Sequence, residues 1–195
     1  MINYFREGKK RMPTEERKAE IEQIVSGIIS NDKDLSVPAF DIIKYLKEKE
    51  NFAIASKPMI DDTTGMLFVN DEEFVDDTDT HRLIVINSLL KEQSNFIQRR
   101  RFIIAHEYAH YVLHKKESTQ YAHRDTSKKD TLYEKEADFF ARCFLMPKEA
   151  IDILLNIDFI KNSSYENKVS LIARIFNVTK KKAKQRLEED LCYNA

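Results

Sequence analysis

The chain contains few of the residues that interrupt helices, with only three glycines and four prolines among 195 residues. This scarcity argues against a fold rich in strands and turns. Apolar residues also recur at intervals of three and four positions, as amphipathic helices require. The length excludes two ordinary domains and allows one domain with a sizeable core. We therefore expect one compact, mostly helical unit.

Cysteine is also scarce. Cys143 and Cys192 are the only two and do not form a closely spaced metal or redox pair, so the sequence gives no sign of a disulfide framework. No stretch approaches the roughly 20 apolar residues that a transmembrane helix needs, and the basic first 17 residues lack the apolar run of a signal peptide. These absences predict a cytoplasmic, unprocessed protein without a membrane partner.

The chain lacks a charge excess of either sign, because 32 basic and 33 acidic residues give a formal net charge of -1. No overall field therefore draws it toward nucleic acid. One local segment, "LIARIFNVTKKKAKQRL", resembles a helix-turn-helix whose cations could meet phosphates. A basic run on a terminal helix is more often a solvated face, so we do not expect direct nucleic-acid contact. The cations concerned are Lys180, Lys181, Lys182, Lys184 and Arg186.

The order of elements follows from caps and hydrophobic periodicity. A first helix should begin after Thr14, whose hydroxyl can cap it, and a second should begin at Pro38. Short β-branched or aromatic runs then predict three strands of a small antiparallel sheet. The predicted helices are 14–30, 38–50, 94–116, 131–146, 148–160 and 165–191, the last broken near Asn177, and the strands lie within 51–58, 63–70 and 81–88.

The predicted helix 94–116 carries ionisable residues in an otherwise apolar stretch. With His106 at zero and about 100° per residue, His110 falls near 40° and Glu107 near 100°, on one narrow stripe. Histidines at i and i+4 can direct imidazole nitrogens at one ion, and the adjacent glutamate can act as general base, as in a His-Glu-x-x-His motif. The stripe predicts a metal site with His106 and His110 as ligands and Glu107 as the catalytic residue.

A catalytic zinc site usually has three protein ligands and one open position, so a third ligand is needed. His114 is about 12 Å from His106 along the helix, which is too far to share the ion. It could line the cleft or bind a partner, or it could be a cation favoured at the end of a helix.

The third ligand should come from "YEKEADFFARCFLMP". Glu134 and Asp138 share one helix face, which predicts Glu134 as ligand and Asp138 as the acceptor of a hydrogen bond from a ligating histidine. Glu136 falls on the opposite face and should be exposed to solvent; it is the alternative ligand. The group that stabilises the oxyanion stays unassigned among Tyr108, Tyr111, Tyr121, His123 and Tyr133.

Between these two helices, "KKESTQYAHRDTSKKD", residues 115–130, shows almost no apolar periodicity and is predicted to be an exposed loop. It could cover the site, with Tyr121 and His123 reaching inward, or be a plain connection.

Two of these segments together resemble a known family. "RRRFIIAHEYAHYVLH" and "EKEADFFARCFLMP", preceded by "LIVINS", resemble the ImmA/IrrE family of zincin-like metallopeptidases. The family pattern joins an arginine-rich helix entry and His-Glu-x-x-His-x-x-x-His to a later Glu-x-x-Ala-Asn/Asp-x-Phe-Ala that ends in Leu-Met-Pro. The resemblance implies an α+β, mostly helical, gluzincin-type domain with a small three-stranded sheet. It also implies zinc held by His106, His110 and Glu134, with Glu107 as general base.

The resemblance further implies a function. It predicts a zinc endopeptidase that makes a narrow regulatory cleavage, often of an XRE-type helix-turn-helix repressor encoded beside it on a phage or mobile element. The alternative is a non-catalytic regulator of the same fold that binds a repressor or DNA through its C-terminal helices. We expect a monomer with an N-terminal arm over 1–13, a metallopeptidase domain over 14–150 and a helical extension over 151–195 packed on the same unit.

Overall fold

The computed structural model describes residues 12–59, 63–69, 82–114 and 132–193. Within these ranges the chain is mostly helical with one small sheet, which confirms the predicted α+β class. The helices are α1 Glu15–Asn31, α2 Ile42–Glu48, α3 Phe96–His114, α4 Leu132–Leu145, α5 Lys148–Leu155, α6 Asp158–Lys161, α7 Tyr165–Ile175 and α8 Lys180–Tyr193, and the strands are β1 Ala53–Lys57, β2 Gly65–Val69 and β3 Arg82–Asn87.

The first helix begins where its cap predicts, but the second does not. The Thr14 hydroxyl accepts a hydrogen bond from the Arg17 backbone N–H at 3.2 Å, which caps α1. The prediction that α2 begins at Pro38 is wrong, because Ala39 has a φ of 57° and cannot continue a right-handed helix. The Asp41 carboxylate instead accepts hydrogen bonds from the first backbone N–H groups of α2.

The sheet has the order β1-β3-β2 and is mixed. β2 and β3 are antiparallel, whereas β1 and β3 are parallel, so the prediction of an antiparallel sheet is wrong for one of its two pairs. The reason is that β1 and β2, which are neighbours along the chain, lie at opposite edges with β3 between them. The last four residues of β3 are all buried, as expected for a central strand.

Helices α3 and α4 form the centre of the fold and pack against each other. The sheet covers one side of α3, and α1 packs on α4. Between α2, α3 and α4, an aromatic cluster fills the core, with Tyr108 in edge or tilted contact with Tyr45, Phe140 and Phe144. This packing fixes the relative positions of the two helices that carry the predicted metal ligands.

The C-terminal helices differ from the prediction at one point. The predicted helix 148–160 is divided into α5 and α6, because Ile157 adopts an extended backbone and the Asn156 side chain donates a hydrogen bond back to the Asp152 carbonyl. The predicted break near Asn177 is present, between α7 and α8, where Asn177 has a φ of 51°.

Some predictions fall on other parts of the chain. The predicted loop 115–130, with Tyr121 and His123, and all but the last two residues of the arm 1–13 lie outside the described residues. The division into arm, domain and extension therefore stays a prediction. Among the helices that the structure describes, none combines the length and apolar character needed to cross a membrane.

Candidate metal centre

Two histidines of α3 face α4 one helical turn apart. The ring centroids of His106 and His110 are 4.8 Å apart in an edge-on arrangement, and their Nε2 atoms are separated by 3.2 Å. This proximity follows from the i, i+4 spacing of the motif on a continuous α-helix. His110 is only 2% exposed, whereas the His106 side chain is 15% exposed.

Helix α4 places the carboxylate of Glu134 against both rings. Glu134 Oε2 lies 3.2 Å from His106 Nε2, and Oε1 lies 3.3 Å from His110 Nε2. One potential ligand atom from each of the three residues lies within 4.8 Å of the others, so they form a group able to hold a metal ion. These are the three residues that the sequence spacing predicted as ligands.

The donor set fits zinc in both chemistry and spacing. Two imidazoles and a carboxylate are typical of a catalytic zinc site that keeps its fourth position open. Two ligand atoms at about 2.0 Å from a tetrahedral ion are separated by about 3.3 Å. The separations between the two imidazoles, and between each imidazole and the nearer oxygen of Glu134, are close to that value.

Asp138 supports His106 from the other side of the ring. Its Oδ1 lies 3.2 Å from His106 Nδ1, in position to accept a hydrogen bond from that nitrogen. Its Oδ2 lies 3.1 Å from Lys182 Nζ and 3.7 Å from Arg142 Nη1. Burial would raise the pKa of Asp138, but the hydrogen bond to His106 and the two cations hold it well below its usual range.

The surroundings of His106 favour positive charge. Burial would lower its pKa, but the hydrogen bonds to Asp138 and Glu134 and the nearby charge of Glu107 raise the pKa to about 9. The same carboxylates that favour a proton at this position would favour a metal cation. The electrostatics of the site therefore agree with its donor set.

Glu107 is buried beside the sheet. It is 2% exposed, and its carboxylate lies against the backbone of Gly65, the first residue of β2. A Cβ added at Gly65 would be 3.3 Å from Glu107 Oε1 and 2.5 Å from Ile103 Cγ2. The absence of a side chain at Gly65 therefore allows β2 to approach α3 at the predicted catalytic residue.

His114 and Glu136 form a separate contact. Their Nε2 and Oε2 atoms are 3.8 Å apart, and Arg17 Nη2 of α1 lies 2.8 Å from the same Oε2. The prediction that Glu136 is exposed is wrong, since α1 covers this face of α4 and leaves Glu136 4% exposed. His114 is also buried, and its ring centroid lies 4.5 Å from that of Tyr133. Neither residue belongs to the group of three potential ligands.

The described tyrosines differ in their access to the site. Tyr108 and Tyr111 are buried in the aromatic core, which is incompatible with contact to a substrate oxyanion. Tyr133, next to Glu134 in the chain, is 40% exposed. Of the three described candidates for oxyanion stabilisation, Tyr133 alone has an exposed ring.

Two residues at the site, Lys182 and Gly65, were not assigned to it by sequence reasoning. Lys182 was considered only as a cation for nucleic acid, although the structure places it on Asp138. Arg186, from the same basic run, is 1% exposed and donates to Glu22 and to the Met146 carbonyl. For Gly65 the available signal was a glycine opening a strand in a glycine-poor chain; for Lys182 there was none, because its contact joins residues 44 positions apart.

The comparison with protein-family models agrees with this geometry, whereas the comparison with curated proteins gives no match. The sequence model of the M78 peptidase family, described as the IrrE N-terminal-like domain, matches residues 66–188, a range that includes the described residues of α3 and α4 and most of α8. Because this match covers more than half of the chain and contains the candidate metal centre, the chain belongs to the M78 peptidase family, the IrrE N-terminal-like metallopeptidases.

Proposed function

We propose that this protein is a zinc-dependent endopeptidase that makes a narrow regulatory cleavage in a protein substrate. One observation carries the proposal: His106, His110 and Glu134 converge from two packed helices, with Glu107 next to the first of these ligands on α3. An ion-pair network would not need two imidazoles whose Nε2 atoms are 3.2 Å apart. A metal site requires such an approach.

His106 and His110 would hold the ion through Nε2, and Glu134 would hold it through its carboxylate. When bound, zinc would supply a Lewis acid that polarises the scissile carbonyl and makes water acidic enough to attack near neutral pH. Asp138 keeps His106 oriented by accepting from Nδ1.

Glu107 is the proposed general base. It takes a proton from the attacking water as the new C–O bond forms at the scissile carbon, and it passes that proton to the leaving amine as the C–N bond breaks. The position of Glu107 suits this role, because it is held between the helix and the backbone at Gly65, away from bulk solvent. A fixed carboxylate loses little orientation on reaching the transition state.

For the substrate we propose a helix-turn-helix repressor of the XRE type, encoded by a phage or mobile element. This part of the proposal is supported by the family resemblance of the two helix motifs. The alternative, direct DNA binding through α8, would use the basic run of this helix. Lys182 and Arg186 of that run make internal contacts, which leaves Lys180, Lys181 and Lys184 as its exposed cations. Direct DNA binding through this helix therefore has little support.

The test is to combine the purified protein and zinc with the helix-turn-helix repressor encoded nearest to its gene. Glu107→Gln should lower the rate of cleavage by at least about 100-fold, since a general base typically contributes 10²- to 10⁴-fold. It should leave zinc content and the formation of the complex unchanged. The matched control is Glu149→Gln, an exposed glutamate in the first turn of α5, which should cleave normally.

The outcomes separate an enzyme from a binding protein. If Glu107→Gln still relieves repression in cells as well as the natural protein does, the activity does not need a general base and the proposal fails. If the natural protein and Glu149→Gln do not cleave the repressor but cleave another protein that Glu107→Gln leaves intact, the proposed reaction stands and the proposed substrate is wrong.

A further inference from the structure

Lys182 connects the C-terminal helix α8 to the two helices of the metal centre. Its Nζ lies 3.1 Å from Asp138 Oδ2 on α4 and 3.8 Å from the centroid of the Phe102 ring on α3. Phe102 is one helical turn before His106. A single side chain of α8 therefore contacts α3 and α4 close to the candidate ligands.

The contact is unlike an ordinary surface ion pair. The Lys182 side chain is 19% exposed, and burial lowers its pKa while the charge of Asp138 raises it. An ammonium over an aromatic face is attracted by the ring, and this attraction strengthens as the cation loses water. Such a lysine is held in one place, whereas exposed pairs are mobile and contribute little.

The two oxygens of Asp138 have different partners. Oδ2 accepts from Lys182, and Oδ1 lies 3.2 Å from His106 Nδ1. Arg142, one turn along α4, approaches Oδ2 at 3.7 Å but makes two hydrogen bonds to Glu189. Lys182 is thus the nearer cation, and without it the carboxylate could turn toward Arg142 and away from His106.

We propose that Lys182 is a positioning residue of the metal centre: by holding Oδ2 of Asp138, it keeps Oδ1 on His106 Nδ1 and directs His106 Nε2 toward Glu134 and His110. The inference rests on the proposed metal binding by these three residues. In this way α8 acts on the proposed ligand His106 through two successive contacts, from Lys182 to Asp138 and from Asp138 to His106.

The test measures zinc affinity, by competition of the metal-free protein with a chelator of known strength. Lys182→Met keeps an unbranched apolar side chain at this position and removes the ammonium, and it should weaken zinc binding roughly tenfold, as loss of a group behind a ligand does. Lys184→Met is the matched control. Lys184 is exposed on the same helix, 3.9 Å from Glu188, and its loss should not change the affinity.

A double-mutant cycle identifies the route of the effect. Asp138→Asn should weaken zinc binding at least as much as Lys182→Met, and adding Lys182→Met to it should cause no further loss. Equal losses in both backgrounds would overturn the proposal, because Lys182 would then act independently of Asp138. An unchanged zinc affinity in Lys182→Met, with or without a lower Tm of the metal-free protein, would also overturn it, since that is the result of a purely structural contact.

Two further variants keep the test decisive. If Lys182→Met does not fold, Lys182→Gln retains a hydrogen-bond donor and should show a smaller loss of zinc affinity in the same direction; an unchanged affinity would overturn the inference. His110→Ala tests the underlying site. If it binds zinc as tightly as the natural protein, the proposed metal centre fails, whereas a loss in His110→Ala and Asp138→Asn without one in Lys182→Met rejects only the role of Lys182.

Discussion

Glu134 and Glu136 lie two residues apart on α4, and their surroundings are opposite in chemistry. Glu134 faces two imidazoles of α3 at 3.2 and 3.3 Å, whereas the nearest partner of Glu136 is the guanidinium of Arg17 on α1 at 2.8 Å, with the His114 imidazole farther away at 3.8 Å. A guanidinium is charged at all accessible pH values and completes an ion pair, whereas an imidazole can release its proton and offer a lone pair to a metal. The type of partner therefore decides: a carboxylate of α4 that meets a guanidinium forms an ion pair, and one that meets two imidazoles forms a candidate metal site.

The same contrast extends over both sides of α4. On the side of α1 and the later turns of α8, acidic groups meet arginines: Glu189 pairs with Arg142, and Glu22 pairs with Arg186. On the side of α3, Glu134 and Asp138 meet His106. The acidic groups on the side of α1 and α8, the ion-pair side, meet fixed positive charges, whereas the group of His106, His110 and Glu134 on the α3 side is suited to an added cation.

The largest expected effect is on zinc affinity, and it compares Glu134 with Glu136. Glu134→Gln removes the charge of a proposed ligand and should weaken zinc binding by more than the roughly 10- to 100-fold lost when a residue behind a ligand is removed. Glu136→Gln should leave zinc affinity nearly unchanged and lower the free energy of unfolding by about 1–3 kcal/mol, because Arg17 and His114 lose a charged partner. Chelator competition and urea denaturation measure the two quantities.

These two variants are matched in residue type, helix and substitution. If Glu136→Gln is the one that loses zinc, the alternative ligand considered from the sequence is the correct one, and the contrast between the two sides of α4 is wrong.

A smaller effect is expected on the ion-pair side. Arg186→Met should lower the free energy of unfolding by about 2–4 kcal/mol, because the Met146 carbonyl loses its donor and Glu22 loses a close cation. Arg174→Met, an exposed arginine of α7, should stay within about 0.5 kcal/mol of the natural protein. Urea denaturation of the metal-free proteins gives both values. If folded Arg186→Met lost zinc affinity without losing stability, the assignment of Arg186 to the ion-pair side would be wrong.

The sequence predicted the side of α4 that faces α3. The stripe on α3 and the spacing of Glu134 and Asp138 depend only on helical periodicity, so the residues that meet could be named without a structure. The predicted family and the mostly helical α+β fold are confirmed.

The ion-pair side was not predictable in the same way. The burial of Glu136 depends on Arg17, which is 119 positions away, and the contact between Lys182 and Asp138 depends on how α8 packs. Periodicity gives the face on which a residue lies but not the element that covers it. The parallel pairing of β1 with β3 was missed for the same reason, because strand order is a long-range property.

A moderate effect is expected at Gly65, where strand β2 approaches Glu107 of α3. Gly65→Ala places a methyl 2.5 Å from Ile103 Cγ2, which is too close for two carbon atoms. Because a β-branched side chain in a helix has little rotamer freedom to move aside, the backbone of β2 must shift. The same methyl crowds Glu107. We expect cleavage to slow by roughly 10- to 100-fold, as for a small misplacement of a catalytic group, while zinc affinity is retained. Unchanged cleavage would show that Glu107 tolerates a displaced strand β2.

The smallest effect is expected on stability, at Gly27 of α1, which packs on the side of α4 away from the candidate metal centre. Gly27 is exposed in α1, and a Cβ built there meets no heavy atom within 4 Å among the described residues. Gly27→Ala should therefore stabilise the protein by about 0.5–1 kcal/mol, because alanine loses less backbone freedom than glycine when a helix forms. Thermal unfolding should show a Tm higher by about 2 °C, with zinc affinity and cleavage unchanged. A lower Tm would mean that α1 is packed at Gly27 by a neighbour outside the described residues, and a slower cleavage would mean that α1 acts on the metal side through α4.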